Sequence, residues 1–147
     1  MDKWLYRASV AFVIIGLLVS TYMHIYKTTG NDDMCLGSGG CNTVIHSRYS
    51  EVTDNLTVPL VGMIGFGALL IALLLESRYS FFKTNGTILV FGMALTGFLF
   101  TIWLIYVELV EIKAICPFCV TTQITMIIIF ILSVTRLLKT PPIAGGR

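Results

Sequence analysis

The stretch CPFCVTTQITMIIIFILSV at residues 116–134 determines the fold, because it contains no Asp, Glu, Lys or Arg. A helix rises about 1.5 Å per residue, so a stretch of this length crosses the roughly 30 Å hydrocarbon core of a bilayer. Three further stretches are equally free of charge, at residues 8–26, 59–75 and 86–107. Lipid offers exposed backbone groups no hydrogen-bond partner, so these stretches predict four membrane-spanning helices.

The composition is that of a membrane protein. Of the 147 residues, 56% are hydrophobic and 12% are charged, whereas soluble domains have roughly 25% charged residues. A chain this short offers no core large enough to bury four apolar helices in a soluble protein. We therefore predict an all-α membrane protein, a four-transmembrane-helix bundle with a long outer loop.

We expect residues 1–140 to form a single transmembrane domain. The predicted spans are residues 8–26, 59–75, 86–107 and 116–138. Residues 27–58 form the loop between the first two spans, and Ile45, Tyr49 and Val52 recur in it at helical spacing. This spacing predicts a short amphipathic helix within residues 42–52, lying on the bundle or on the membrane surface.

The two ends of the chain carry an apolar stretch and a tail of different composition. The first apolar stretch follows Lys3 and Arg7, as the apolar region of a signal peptide would. It is longer than that region usually is and lacks a small-residue cleavage site, so we expect it to be retained as a helix. The tail, residues 141–147, is rich in Pro and Gly, and we expect it to be disordered.

Basic residues lie mainly on one side of the predicted bundle. The N-terminus, the second loop and residues 136–147 hold seven Lys and Arg residues, whereas the first and third loops hold three. Because positive residues mark the cytoplasmic side, we predict a multi-pass protein of the cell inner or plasma membrane with both termini in the cytoplasm. The net charge of +2 reflects this topology, and no basic cluster suggests a nucleic-acid partner.

All four cysteines fall on the predicted outer side, where disulfides form and persist: Cys35, Cys41, Cys116 and Cys119. Cys116 and Cys119 form a C-x-x-C motif at the start of the fourth helix. The unpaired N–H groups of a helix start stabilise a thiolate, which is the species that attacks disulfides. We expect Cys116 to be the exposed member of the pair and Cys119 to face the interior of the bundle.

Cys35 and Cys41 flank a segment that contains three glycines and bends freely. A pair that alternates between its own disulfide and a third cysteine needs this freedom, whereas a structural bridge does not. Two structural disulfides nevertheless remain an alternative. We expect no metal, because an oxidising compartment suits a thiolate zinc site poorly and Val120 stands where c-type haem attachment needs His.

This arrangement resembles the vitamin K epoxide reductase family, and within it the prokaryotic homologues. The resemblance covers about residues 4–138 and rests on four features. They are the loop pair Cys35 and Cys41, Ser47 six residues later, the Cys116-Pro117-Phe118-Cys119 motif, and the helix opening Val58-Pro59-Leu60-Val61-Gly62. The quinone-linked thiol oxidase of proteobacteria, by contrast, carries its C-x-x-C in the first outer loop.

The resemblance implies a quinone-dependent thiol–disulfide oxidoreductase that drives disulfide formation outside the cytoplasm. A thioredoxin-like partner would reduce the Cys35–Cys41 disulfide by attacking Cys35. Cys41 would then attack Cys116, and Cys119 would pass the electrons to a quinone, either menaquinone or ubiquinone. Many homologues carry a fused thioredoxin-like domain, but this chain ends nine residues after Leu138. We therefore expect the partner to act in trans.

The same resemblance implies the supporting residues. Ser47 is expected to hydrogen-bond near the active cysteines. The implied quinone-binding residues are Cys119, Gln123, Thr122, Val58 and Phe118. Two of them depart from the animal enzymes, which have an Asn near the start of helix two and a Tyr one turn after the C-x-x-C, where this chain has Val58 and Gln123.

Two alternatives to this function stay open at the level of sequence. One is a vitamin K epoxide reductase proper, because the same dithiol can reduce an epoxide. The other is a non-catalytic protein with four membrane helices whose cysteines only join its outer loops.

Overall fold

The computed structural model describes residues 3–30, 33 and 40–139. Cys35 and the tail 141–147, about which the sequence makes predictions, lie outside these residues. In chain order the helices and strands are α1 (Lys3–Thr29), α2 (Gly40–Ile45), β1 (Glu51–Thr53), β2 (Leu56–Thr57), α3 (Val58–Arg78), α4 (Ser80–Tyr106) and α5 (Pro117–Lys139). A π-helical segment, Val107–Ile112, continues α4 without a break.

In the described part of the chain, four helices are long and apolar enough to cross a membrane, namely α1, α3, α4 and α5. The predicted four-helix architecture is therefore confirmed. Helix α1 extends past its charge-free stretch to include Lys3, Arg7 and Lys27, whose long side chains can reach the interface while their stems stay apolar. Pro59 lies in the first turn of α3, where its missing N–H leaves no helical bond unmade.

The long helices form a closed ring in the order α1, α3, α4, α5, with each helix packed on its two neighbours. The shared core is apolar and includes Val13, Leu69, Leu73, Ala94 and Ile129. Large apolar side chains also cover the outside of the ring, where Leu18, Leu99 and Ile131 are each more than half exposed. A ring that is apolar on both its inner and outer faces fits a lipid surround.

The loop between α1 and α3 differs from its prediction. The helix expected within residues 42–52 is present only as α2, which ends at Ile45. A 3-10 turn over Arg48–Ser50 follows, and then β1 pairs antiparallel with β2. The prediction that Ile45, Tyr49 and Val52 lie on one helix is thus wrong. The physical reason is local: Asp54 and Asn55 favour a turn, and the neighbouring Val and Thr residues favour strands.

A buried ion pair joins the helices at the end of the bundle away from the cysteines. The Arg136 guanidinium of α5 donates to Glu76 Oε1 of α3 at 2.6 Å, and both side chains are almost fully buried. Thr87 of α4 donates to the same oxygen, and the Tyr6 ring of α1 lies 6.0 Å from the guanidinium carbon. All four spanning helices therefore meet at one charge pair.

Candidate functional site

A cysteine of the loop, Cys41, contacts a cysteine of the C-x-x-C motif, Cys116. Cys41 Sγ and Cys116 Sγ lie 2.9 Å apart, in hydrogen-bond contact, although 75 residues separate them in the chain. Both side chains are buried, with exposures of 1% and 0%. Met23, Tyr26 and Ile45 pack around them and exclude water. A separation this short allows one sulfur to attack the other without rearrangement of the backbone.

Helix α2 reaches this position because its first residue is a glycine. A Cβ added to Gly40 would overlap the carbonyl oxygen of Ile115, which is backbone and cannot move aside cheaply. The receiving segment is itself shaped by Lys113, whose left-handed conformation (φ 53°) ends the π-helical segment. The chain turns there and presents residues 114–116 to α2.

The burial of Cys116 corrects one sequence prediction. Cys116 was expected to be the exposed member of the C-x-x-C pair, but it has no exposed surface. The reason is that α2 lies directly over the start of α5 and covers it. Cys119 is partly exposed and contributes to the wall of a large cavity, in agreement with its expected position facing the interior.

The Cys116 thiol is tuned by its neighbours. The pKa of Cys116 is lowered from 9.0 to about 6, and the largest cause is a hydrogen bond from the Cys119 thiol. Contact with Cys41 also contributes to the lowering, whereas burial acts in the opposite direction. Cys116 is therefore mostly a thiolate at neutral pH, which makes it a good leaving group in disulfide exchange.

A cavity of about 870 Å³ extends from the C-x-x-C motif into the bundle. All the residues implied as quinone-binding line it, together with Ser47: Cys119, Gln123, Thr122, Val58 and Phe118. Phe118 also packs against the Tyr22 ring of α1, with centroids 5.1 Å apart. Residues scattered over residues 47–123 of the sequence thus meet around one space.

The walls of this cavity are mainly apolar and run between α3 and α4. Its far part is lined by Ile88 and Leu89, both nearly half exposed, so it opens to the lipid-facing surface of the bundle. Gly65 and Gly92 lie along it, and no atom comes within 4 Å of the place where a Cβ would stand on either. The glycines therefore keep the groove between the two helices open.

Two of the predicted polar residues satisfy their own backbone instead of pointing a donor at a ligand. Thr122 Oγ1 donates to the carbonyl oxygens of Phe118 and Cys119, one turn earlier in α5. Ser47 Oγ donates to the carbonyl oxygen of Val44 at 2.7 Å. Both hydroxyl hydrogens are thus used locally, although both side chains still contribute to the cavity wall.

Glu108 is a residue of this site that the sequence did not reveal. Its Oε1 accepts the backbone N–H of Cys116 at 2.9 Å, and its Oε2 accepts Nε2 of Gln123 at 2.8 Å. Glu108 is 5% exposed and lines the cavity. The sequence suggested an outer-loop residue, because a charge usually ends a membrane span. The apolar pair Leu109-Val110 directly after it was the signal that the helix continues.

Within residues 3–30, 33 and 40–139, no group of three or more His, Cys, Asp or Glu side chains is placed to hold a metal ion. The Cys41 and Cys116 thiols and the Glu108 carboxylate lie together beside the cavity. An apolar space beside a cysteine pair suits a lipophilic electron acceptor.

Comparison with protein families supports this interpretation. The model of the vitamin K epoxide reductase family matches residues 7–134 of the 147-residue chain. The matched region runs from the start of α1 to near the end of α5 and includes the loop, both cysteine pairs and Glu108.

Proposed function

Because the chain belongs to the vitamin K epoxide reductase family and is thus an oxidoreductase of the membrane, we propose that it is a quinone-linked thiol–disulfide oxidoreductase. In this function it reoxidises a thioredoxin-like partner that acts in trans, and so drives disulfide formation outside the cytoplasm. The observation that carries the proposal is the 2.9 Å contact between Cys41 and Cys116. Structural disulfides within each pair would give no reason for the two pairs to touch.

The relay begins at the loop pair. The partner's dithiol attacks Cys35 and is oxidised to a disulfide, while the Cys35–Cys41 disulfide is reduced. Cys41 then attacks Cys116 of the Cys116–Cys119 disulfide, which releases Cys119 as a thiolate. Attack of Cys35 on Cys41 restores the loop disulfide and releases Cys116. The low pKa of Cys116 favours this last step, because a stable thiolate leaves readily.

The relay ends at the quinone. The dithiol of Cys116 and Cys119 gives up two electrons and two protons, and its disulfide re-forms. The quinone accepts them and leaves as a hydroquinone. The direction of flow follows from reduction potentials, since about 30 mV between two-electron couples corresponds to about 1.4 kcal/mol.

The cavity supports a quinone with a long apolar tail as the electron acceptor, such as menaquinone or ubiquinone. Cys119 and Gln123 line its inner end, and its opening between α3 and α4 faces the region where lipid would lie. A head group at Cys119 could therefore keep its tail in the groove between these helices. Most ligand sites combine apolar walls with a few polar groups in this manner.

The orientation that we propose places the cysteine end of the bundle outside the cell membrane and both termini in the cytoplasm. It rests on the excess of Lys and Arg in the N-terminus, around the junction of α3 and α4 (Arg78 and Lys83) and in residues 136–147. The chemistry also favours it, because disulfides persist in oxidising compartments.

The test is quinone reduction by the purified protein in lipid nanodiscs, followed by quinone absorbance, with either a reduced thioredoxin-like protein or a small dithiol as donor. We expect Cys41→Ser to abolish turnover with the protein donor but to retain turnover with the small dithiol, which can attack the Cys116–Cys119 disulfide at the partly exposed Cys119. Cys119→Ser should abolish both. Quinone reduction that persists in Cys119→Ser would show that the relay is wrong, and no reduction by the wild type would favour structural disulfides.

A further inference from the structure

Glu108 hydrogen-bonds two parts of the site that lie seven residues apart in the chain, Cys116 and Gln123. One carboxylate oxygen holds the peptide N–H of Cys116, which precedes the first residue of α5. The other holds the side-chain amide of Gln123, two turns farther along the same helix. Glu108, Cys116 and Gln123 are all buried, so these contacts are shielded from water. Hydrogen bonds to an ionised acceptor are about twice as strong as neutral ones.

From these contacts we propose that Glu108 is a positioning residue for the reaction of the dithiol with the quinone. It would bind the Cys116 end of the C-x-x-C motif and the Gln123 amide at the same time. The position of Gln123 in the cavity wall would then stay fixed relative to the reacting sulfur atoms. This inference rests on the proposed function and deepens it. The reaction itself is unchanged: two electrons and two protons pass from the Cys116 and Cys119 thiols to the quinone.

The chemical type of the side chain matters at this position. A carboxylate presents two acceptors and no donor, which matches the two N–H groups that face it. Glutamine has the same shape but presents one acceptor and one NH₂ group. In Glu108→Gln, either the Cys116 N–H or the Gln123 amide would therefore face a donor, and Gln123 would be released or turned over.

The backbone places Glu108 inward. It lies in the π-helical segment Val107–Ile112, in which Val107 and Glu108 are buried while Leu109 and Val110 are about half exposed. A π-helical turn holds an extra residue and shifts the face that each side chain occupies. Segments of this kind occur often at functional sites. A buried carboxylate within a membrane-spanning helix is itself a sign of function.

Gln123 connects Glu108 to the quinone cavity. One N–H of Gln123 Nε2 is donated to Glu108. The second N–H of Nε2 and the Oε1 atom can then contact a ligand in the cavity. The second N–H suits a quinone carbonyl and Oε1 suits the hydroxyl of the hydroquinone. Loss of Glu108 should therefore weaken quinone binding through Gln123, beyond any general effect on the fold.

The experiment begins with protein reduced by a small dithiol, freed of that dithiol and mixed with a short-tailed quinone in a single turnover. We expect Glu108→Gln to raise the quinone concentration that gives half the maximal rate by about tenfold, as for the loss of a buried hydrogen bond to a charge. Glu108→Asp keeps both acceptors on a shorter stem and should fall between wild type and Glu108→Gln. Glu111→Gln is the matched control, since Glu111 is an exposed carboxylate of the same segment that accepts from Tyr49.

A double-mutant cycle separates positioning from simple support of the fold. In a Gln123→Leu background, Glu108→Gln should have little further effect on the half-maximal quinone concentration. Effects that add fully in the double variant would overturn the proposal, and so would an unchanged value in Glu108→Gln or an Asp variant that is worse than the Gln variant. If quinone oxidises the wild type, such a result leaves the proposed function intact. A wild type that quinone does not oxidise overturns both.

Discussion

Gly40 lies against the carbonyl oxygen of Ile115, so closely that any side chain at residue 40 would overlap it. The contact is between backbone atoms on both sides, and it fixes how near α2 comes to the start of α5. Cys41 follows Gly40, and Cys116 follows Ile115. The distance between the two sulfur atoms is therefore set by the glycine beside one and the peptide beside the other.

Gly40→Ala should slow electron transfer between the two cysteine pairs and leave the reaction with quinone almost unchanged. The added methyl group pushes α2 away from residue 115, so transfer from Cys41 to Cys116 should slow by about tenfold or more, as displacements near 1 Å can do. Quinone reduction driven by a small dithiol acting directly on Cys116–Cys119 should stay within about twofold of wild type. Steady-state quinone absorbance with the two donors measures both rates.

The matched control is Gly67→Ala in α3. Gly67 has open space where a Cβ would stand, and it does not line the cavity. It should leave both activities at the wild-type level. If Gly40→Ala lowered the two activities equally, α2 would not govern the step between the cysteine pairs.

The sequence was sufficient for the four spanning helices, because lipid allows an uncharged stretch of that length few other structures. The family resemblance also predicted one shared site for Val58, Phe118 and Gln123, and all three line the cavity. The sequence did not reveal the burial of Cys116, which depends on where a distant loop packs. It misplaced Glu108 as well, because a carboxylate usually ends a membrane span and only tertiary hydrogen bonds explain its burial here.

The pKa of Cys116 gives a pH dependence. With a pKa of about 6, the Cys116 thiol of fully reduced protein is protonated below pH 6 and ionised above it. Attack by the Cys116 thiolate on a disulfide should therefore become slower as the pH falls through 6, because the protonated thiol does not attack. Thiolate absorbance in the ultraviolet, taken as the difference between wild type and Cys116→Ser, should titrate with a midpoint near pH 6.

The cause of the low pKa can be tested in the same titration. Cys119 contributes the largest lowering through its hydrogen bond. Cys119→Ala removes that donor, so the midpoint should move upward toward the ordinary value of 9.0. Cys41→Ala should move it upward by less. A midpoint that Cys119→Ala leaves near pH 6 would mean that the thiolate is stabilised by something else.

The groove between α3 and α4 predicts a dependence on the quinone tail. Gly92 lines the cavity with open space at its Cβ position, so Gly92→Leu should fit without a clash and fill part of the groove. We expect it to raise KM for a long-tailed quinone several-fold and to change KM for a tailless quinone much less. Gly67→Leu is the control, because its added side chain lies outside the cavity. Equal effects on the two quinones would indicate that the tail does not occupy this groove.

The ion pair between Glu76 and Arg136 predicts a large effect on stability. Arg136→Met would leave the Glu76 carboxylate buried without its cation, and breaking a buried pair from one side typically costs about 3–5 kcal/mol. Glu76→Gln should also destabilise the fold, because it removes the negative charge that Arg136 contacts at 2.6 Å. The loss should appear as a lower thermal unfolding temperature in detergent, with quinone reduction in the surviving folded protein close to wild type.

Replacing both Glu76 and Arg136 with apolar residues should restore most of the thermal stability that Arg136→Met loses. In Glu76→Leu with Arg136→Met neither charge of this pair is left, and apolar replacements of buried pairs are often neutral or stabilising. Arg78→Met is the control for charge alone, because Arg78 is an exposed basic residue at the same end of α3. It should leave the unfolding temperature nearly unchanged. If the double variant were as unstable as Arg136→Met, the pair would contribute through Thr87 and Tyr6 as well, which contact Glu76 and Arg136 from the other two helices.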